Sequence, residues 1–166
     1  MTQALAGLFA VTLIVAMAWD AARLEIPDAA SLVLLAGFAV GAVAGGADWW
    51  VMLSHAGAGL TVFAVGAALF HLGVWGGGDV KLGGAMALWL GWDNLAPWLL
   101  VVALAGGALS LAVLALRRWR LAAATSVGGP HWLRRLRDPA EGIPYGLALG
   151  IGGLTLIDAA TAFAAG

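Results

Sequence analysis

Residues Trp75–Asn94 read WGGGDVKLGGAMALWLGWDN. Three glycines precede one carboxylate, Asp79, and an almost purely apolar run separates it from the next, Asp93. The 13 residues between the two acids span only about 20 Å as a helix. The hydrocarbon core of a bilayer is about 30 Å thick. With Asp93 at one interface, Asp79 falls short of the other and lies inside the membrane. Irregular backbone at that depth is tolerated only where protein buries it or where it lines a wet cavity. The glycine run therefore predicts a cavity that another backbone approaches closely.

The rest of the chain supports a membrane setting. Of its 166 residues 63% are hydrophobic and only 10% charged, with a mean hydropathy of +0.97. Soluble domains average about 45–50% apolar and about 25% charged. The apolar runs are continuous, without period-2 alternation, which favours helices over a barrel. Six segments emerge, at about Ala4–Trp19, Ala30–Gly46, Val51–Val74, Val80–Gly91, Pro97–Leu116 and Ile143–Phe163. The expected fold class is all-α: one transmembrane domain over residues 1–166, with six helices and a polar loop at about 117–142. Ala16-Met17-Ala18 resembles a signal-peptidase site, but Met1-Thr2-Gln3 carries no positive charge, so the segment reads as a retained first helix. Gly37, Gly41 and Gly45, and Gly146 and Gly150, recur at the four-residue spacing that lets helices pack closely in lipid. Pro27 opens the second helix, with Asp28 read as its cap.

The charges orient these helices. All eight basic residues (Arg23, Lys81, Arg117, Arg118, Arg120, Arg134, Arg135 and Arg137) fall in or beside the connections 1–2, 3–4 and 5–6. The other two connections hold only Asp48 and Asp93. The positive-inside rule then places both termini outside and the basic connections in the cytoplasm. Trp19, Trp75, Trp119 and Trp132 belong near the cytoplasmic face, and Trp49, Trp50, Trp92 and Trp98 near the outer one; Trp89 fits neither belt well. The Arg117–Arg137 loop is expected to anchor to anionic lipid.

Nine acids are present. Asp48, Asp93 and Asp158 look like helix-end residues, and Asp138 and Glu141 balance the basic loop. Asp20, Glu25, Asp28 and Asp79 remain. Asp20 ends the first helix and Asp79 starts the fourth, in the same leaflet. An ionisable group within the membrane is a functional candidate by default. Two carboxylates a few ångströms apart cannot both ionise easily, so they hold one proton between them. The ionised one can take a proton from water while the protonated one hydrogen-bonds a scissile carbonyl. That is aspartic-protease chemistry, and it needs no metal, cysteine or cofactor. The bland alternative has Asp20 merely ending its helix and Asp79 paired with Lys81 or Arg23. The absence of cysteine excludes disulfides, thiol catalysis and Cys-ligated zinc. His55 and His71 lie toward opposite ends of the third helix and His131 in the loop, so none is read as a ligand.

The two aspartate motifs, DAARLEIPD (Asp20–Asp28) and GGGDVKL (Gly76–Leu82), resemble the type IV prepilin peptidase family, membrane aspartic peptidases of the GxGD class. The family pattern sets one Asp six residues before Ile-Pro-Asn, here Asp20 before Ile26-Pro27 with Asp28 in place of Asn. The second Asp closes Gly-x-Gly-Asp before Val/Ile-Lys-Leu, here Gly76, Gly77, Gly78 and Asp79 before Val80-Lys81-Leu82. IPYG (Ile143–Gly146), with Pro144 and Gly146, resembles the family's Pro-Phe/Tyr-Gly segment. The resemblance implies a bacterial inner-membrane endopeptidase with Asp20 and Asp79 catalytic. It would remove a short basic leader, after glycine, at the cytoplasmic face of prepilins. The glycines would admit the substrate backbone, and Lys81 would either hold Asp79, contact substrate or act as an interfacial anchor. The chain lacks the CxxC-bearing segment of the full-length bacterial enzymes and resembles the short peptidase-only form of tight-adherence (Flp-type) pili, without methyltransferase activity. Expected partners are prepilin and pseudopilin-like substrates and membrane lipid, not nucleic acid. Two other classes stay open: a small transporter or proton relay using intramembrane acids, and a non-catalytic scaffold of a pilus machine. The first leaves unexplained why both acids sit at the cytoplasmic end.

Overall fold

The computed structural model describes residues 2–123, 136, 138 and 141–165. Among the described residues every regular element is a helix. In chain order these are α1 (Thr2–Arg23), α2 (Asp28–Gly45), α3 (Trp49–His71), α4 (Gly77–Ala123), α5 (Gly146–Thr155) and α6 (Ile157–Thr161), closed by a 3-10 turn at Ala162–Ala165. Four of them are long and apolar enough to cross a membrane, or five when α5 and the bent segment after it count as one span.

The longest helix decides the architecture. The apolar part of α4, Gly77–Arg118, has 42 residues and would run about 63 Å if straight, twice the hydrocarbon thickness. It is not straight. Gly91 sits at φ 66°, ψ −179°, outside helical geometry. A Cβ on Gly83 would lie 3.8 Å from the Trp98 ring, although 15 helical positions cover about 22 Å. The chain therefore folds back on itself at Gly91. Glycine is needed there twice over: for the positive φ, and because a Cβ would sit 2.9 Å from the His55 ring. A break of this kind frees the carbonyls of the preceding turn. His55 Nδ1 donates to the Leu88 carbonyl at 2.8 Å, and Asn94 Nδ2 donates to that of Leu90 at 3.0 Å. The loop expected from about Arg117 starts later than that, because α4 carries the first polar residues and continues to Ala123.

The last apolar segment differs from the single helix expected over Ile143–Phe163. It bends by 76° between Gly146–Thr155 and Ile157–Ala164. The cause is local. Thr155 Oγ1 donates to the Gly152 carbonyl at 2.8 Å, and the Leu156 N–H turns to Gly153 instead. A hydroxyl competing for a helix carbonyl, beside two glycines of low helix propensity, ends α5 there.

The core is built where the helices cross. Phe9, Phe38, Trp89 and Phe163 form an aromatic cluster, with Phe38 and Phe163 centroids 4.5 Å apart and Phe9 and Trp89 5.0 Å apart. Trp89 is fully buried, and its Nε1 donates to the Leu34 carbonyl at 2.8 Å. Trp98 is also fully buried, which corrects its expected place in the outer aromatic belt: the turn at Gly91 carries it back into the core. Trp49, Trp50, Trp92 and Trp19 are exposed, as belt residues would be, while the Trp119 side chain and Trp132 lie outside what the structure describes. Gly37 and Gly41 serve packing, with Leu8 and Leu5 at the places where a Cβ would sit.

Candidate active site

The site is assembled from three helix ends. α1 carries Asp20 in its last turn and stops after Arg23. Leu24 takes a left-handed φ of 58°, and its N–H closes on the Asp20 carbonyl at 2.7 Å. The four residues Leu24–Pro27 then lead into α2. Asp20 is almost completely buried, 4% exposed. Its Oδ2 accepts the Gly146 backbone N–H at 2.8 Å, the first residue of α5. The buried Pro144 begins that turn, and the Leu147 N–H reaches back to its carbonyl at 3.2 Å.

Asp79 is half-buried in the first turn of α4, where the helix dipole favours negative charge. Its carboxylate accepts the Gly76 backbone N–H and lies within electrostatic reach of Asp20. Each aspartate thus holds an N–H at or beside a helix start. Both open onto one cleft of about 830 Å³, walled also by Glu25, Ile26, Tyr145 and the α3–α4 connection.

All three glycines line the cleft, and the Ile26 backbone approaches Gly78 closely; at two of the three positions a neighbour fills the place of a side chain. A Cβ on Gly78 would lie 2.9 Å from that of Ile26, and one on Gly76 2.8 Å from Asp79 Oδ2. That space is already taken, by Ile26 and by the carboxylate. Gly77 meets only the Phe70 ring, at ordinary contact distance. Gly146 is like Gly76 and Gly78 in this respect: a Cβ there would sit 2.7 Å from Asp20 Oδ2.

Lys81 does not hold Asp79. Its Nζ donates to Asp28 Oδ1 at 2.7 Å. Asp28 correspondingly does not cap α2. Pro27 occupies the cap position, with no side-chain bond, and Asp28 is the first helical residue. Arg23 places its guanidinium 4.0 Å over the Trp19 ring. Arg117 donates to the backbone carbonyls of Leu136, Glu141 and Gly142, so it ties the end of α4 to the approach to α5. The expected lipid anchoring by Arg120, Arg134, Arg135 and Arg137 lies outside what the structure describes, as does His131.

Glu25 and Asp28, kept with Asp20 and Asp79 by the sequence reading, are both exposed on the cleft; the Lys81–Asp28 pair and the Gly146 N–H on Asp20 were not read from sequence. Contacts across 53 and 126 positions leave no trace in local spacing.

Residues 7–111, which hold both Asp20 and Asp79, match the type IV leader peptidase family. No curated protein and no solved structure matches the chain. The family match covers more than half of the sequence and includes both aspartate motifs, so the chain belongs to the type IV leader peptidase family.

Proposed function

We propose that the chain is an aspartic prepilin leader peptidase in which Asp20 and Asp79 hold one proton between them. The observation that carries the reading is the opening of both carboxylates onto one cleft. In the working state the ionised partner draws a proton from a water molecule while the protonated partner hydrogen-bonds the scissile carbonyl. The tetrahedral intermediate collapses as the proton passes to the leaving amine. Gly146 and Gly76 donate N–H bonds to the two carboxylates and hold their oxygens in direction.

The substrate on this reading is a prepilin with a short basic leader, cut after a glycine that precedes its apolar helix. The site faces the cytoplasm, as the basic residues beside it argue. Six spans follow when the limbs of α4 on either side of Gly91 count separately and α5 with its bent continuation counts as one. Both termini then lie outside. The peptidase-only, Flp-type assignment rests on the lack of any cysteine in the sequence, and it means the product amino terminus leaves unmethylated.

The test is processing of a prepilin-like substrate in membranes carrying wild type, Asp20→Asn or Asp79→Asn. The wild type yields the shortened, unmethylated product. Each variant loses at least about 10²-fold in rate, the scale of a general acid or base. Normal processing by either one overturns the dyad.

A further inference from the structure

We propose that Lys81 and Asp28 form a positioning clamp that holds the two aspartate-bearing segments at their working separation. The inference rests on the peptidase reading above. Lys81 Nζ and Asp28 Oδ1 are 2.7 Å apart across 53 positions of sequence. Each belongs to a different half of the site. Lys81 stands two residues after Asp79 on α4, and Asp28 opens α2 directly behind the short connection from Asp20. Two helical positions are about 200° apart around the axis. Asp79 and Lys81 therefore leave α4 on nearly opposite sides, one toward the cleft and the other toward α2.

On its α3 side this end of α4 is packed, with Val80 and Leu82 buried and Trp75 and Val80 against Gly66; the clamp acts on the side that faces α2. The segment before it, Leu72–Gly76, turns at Gly73, φ 73°, and its Val74 N–H closes on the Leu69 carbonyl at 2.9 Å, so it too is tied to α3 and not to α2. Ile26 against Gly78 is the apolar contact that presses the α1–α2 connection onto α4. The ion pair lies beside it and supplies the directional link that an apolar contact lacks. The two side chains are 48% and 66% exposed, so their contribution to global stability is small. Their effect is on geometry. Asp28 also lines an apolar groove of about 560 Å³ between α2, α3 and α4, together with Lys81 and Ser31. The pair thus stands where the polar cleft meets the apolar groove, at the point where the two halves could slide apart.

The clamp requires an acceptor oxygen at position 28 rather than a full charge, because one carboxylate oxygen takes the Lys81 ammonium. Asp28→Asn keeps that oxygen and retains activity. Asp28→Ala and Lys81→Met remove the link. Each lowers kcat by about 10- to 100-fold, the scale of a small misplacement of reacting groups, and leaves KM within about twofold. Reversing the pair, Asp28→Lys with Lys81→Asp, restores most of kcat. In the double variant Asp28→Ala/Lys81→Met the two losses merge into one instead of multiplying.

A second measurement does not depend on cleavage. The chain has no cysteine, so Glu25→Cys and Val74→Cys, both on the cleft wall, can be joined by a short bifunctional maleimide. Cross-linking falls in Lys81→Met and recovers in the reversed pair. If cross-linking follows this pattern but the wild type cleaves no prepilin, the clamp stands and the peptidase reading falls. If the wild type cleaves, the clamp is overturned by wild-type kcat in both single variants, by multiplying losses in the double variant, or by a reversed pair that recovers neither readout.

Discussion

The Gly146 backbone N–H donates to Asp20 Oδ2 at 2.8 Å across 126 positions of sequence. The first residue of α5 thereby fixes the direction of a carboxylate on α1. The contact exists only because residue 146 has no side chain: a Cβ would lie 2.7 Å from that same oxygen and 3.0 Å from Ile26 Cδ1. Gly146→Ala is expected to turn the Asp20 carboxylate and lower kcat by about 10- to 100-fold, with a stability loss of about 1–3 kcal/mol. Gly107→Ala, where a Cβ meets nothing within 4 Å, serves as the control and leaves stability within about 1 kcal/mol of wild type. Steady-state kinetics with thermal unfolding in detergent checks both. Wild-type kcat in Gly146→Ala would show that the carboxylate direction does not matter.

The proposed sharing of one proton by Asp20 and Asp79 would dictate the shape of the pH profile. At low pH both carboxyls are neutral and none can accept a proton from water. At high pH both are ionised and none can donate to the carbonyl. kcat/KM is therefore expected to be bell-shaped, with its two limbs belonging to the pair and not to either residue. Rates measured in proteoliposomes across the pH range test this. A profile that rises with pH to a plateau would point to a single general base.

Much of this site was legible because both motifs are local. Asp20 before Ile26-Pro27, and Gly76–Gly78 before Asp79, each lie within one short window, and the distance from Asp79 to Asp93 is set by helical rise. The turn at Gly91 was legible for the same reason: Gly91, Asn94 and Pro97 punctuate an apolar run. What escaped depends on partners remote in sequence. Asp28 looked like a cap because Asp is a good cap, but the first-turn position behind Pro27 turns its carboxylate to Lys81. Trp98 looked interfacial because it follows a polar turn, yet the fold-back returns it to the core. The bend at Leu156 escaped because a threonine hydroxyl competing for a helix carbonyl is invisible to hydropathy.

The fold-back at Gly91 should be the least tolerant glycine outside the site. Alanine there meets a φ of 66° and the His55 ring at 2.9 Å. Gly91→Ala is expected to cost about 2–4 kcal/mol by displacing His55 from the Leu88 carbonyl. His55→Phe removes only that hydrogen bond and costs about 1 kcal/mol. Unfolding in detergent–urea mixtures ranks the two. An equal or reversed order would mean that the turn is not held by this ring.

Two buried tryptophans form a matched pair. Trp89 and Trp98 are both fully buried, so truncation to phenylalanine removes similar apolar contact from each. Their indole N–H groups differ. That of Trp89 donates to the Leu34 carbonyl at 2.8 Å, whereas that of Trp98 has no partner among the described residues. Trp89→Phe loses a hydrogen bond and creates a cavity, for about 2–3 kcal/mol. Trp98→Phe creates a similar cavity but removes an unsatisfied buried donor, and the two terms oppose one another to leave a net change within about 1 kcal/mol. Equal losses in the two variants, measured by thermal unfolding in one detergent, would mean that the Trp98 N–H has a partner, such as an ordered water, in the folded protein.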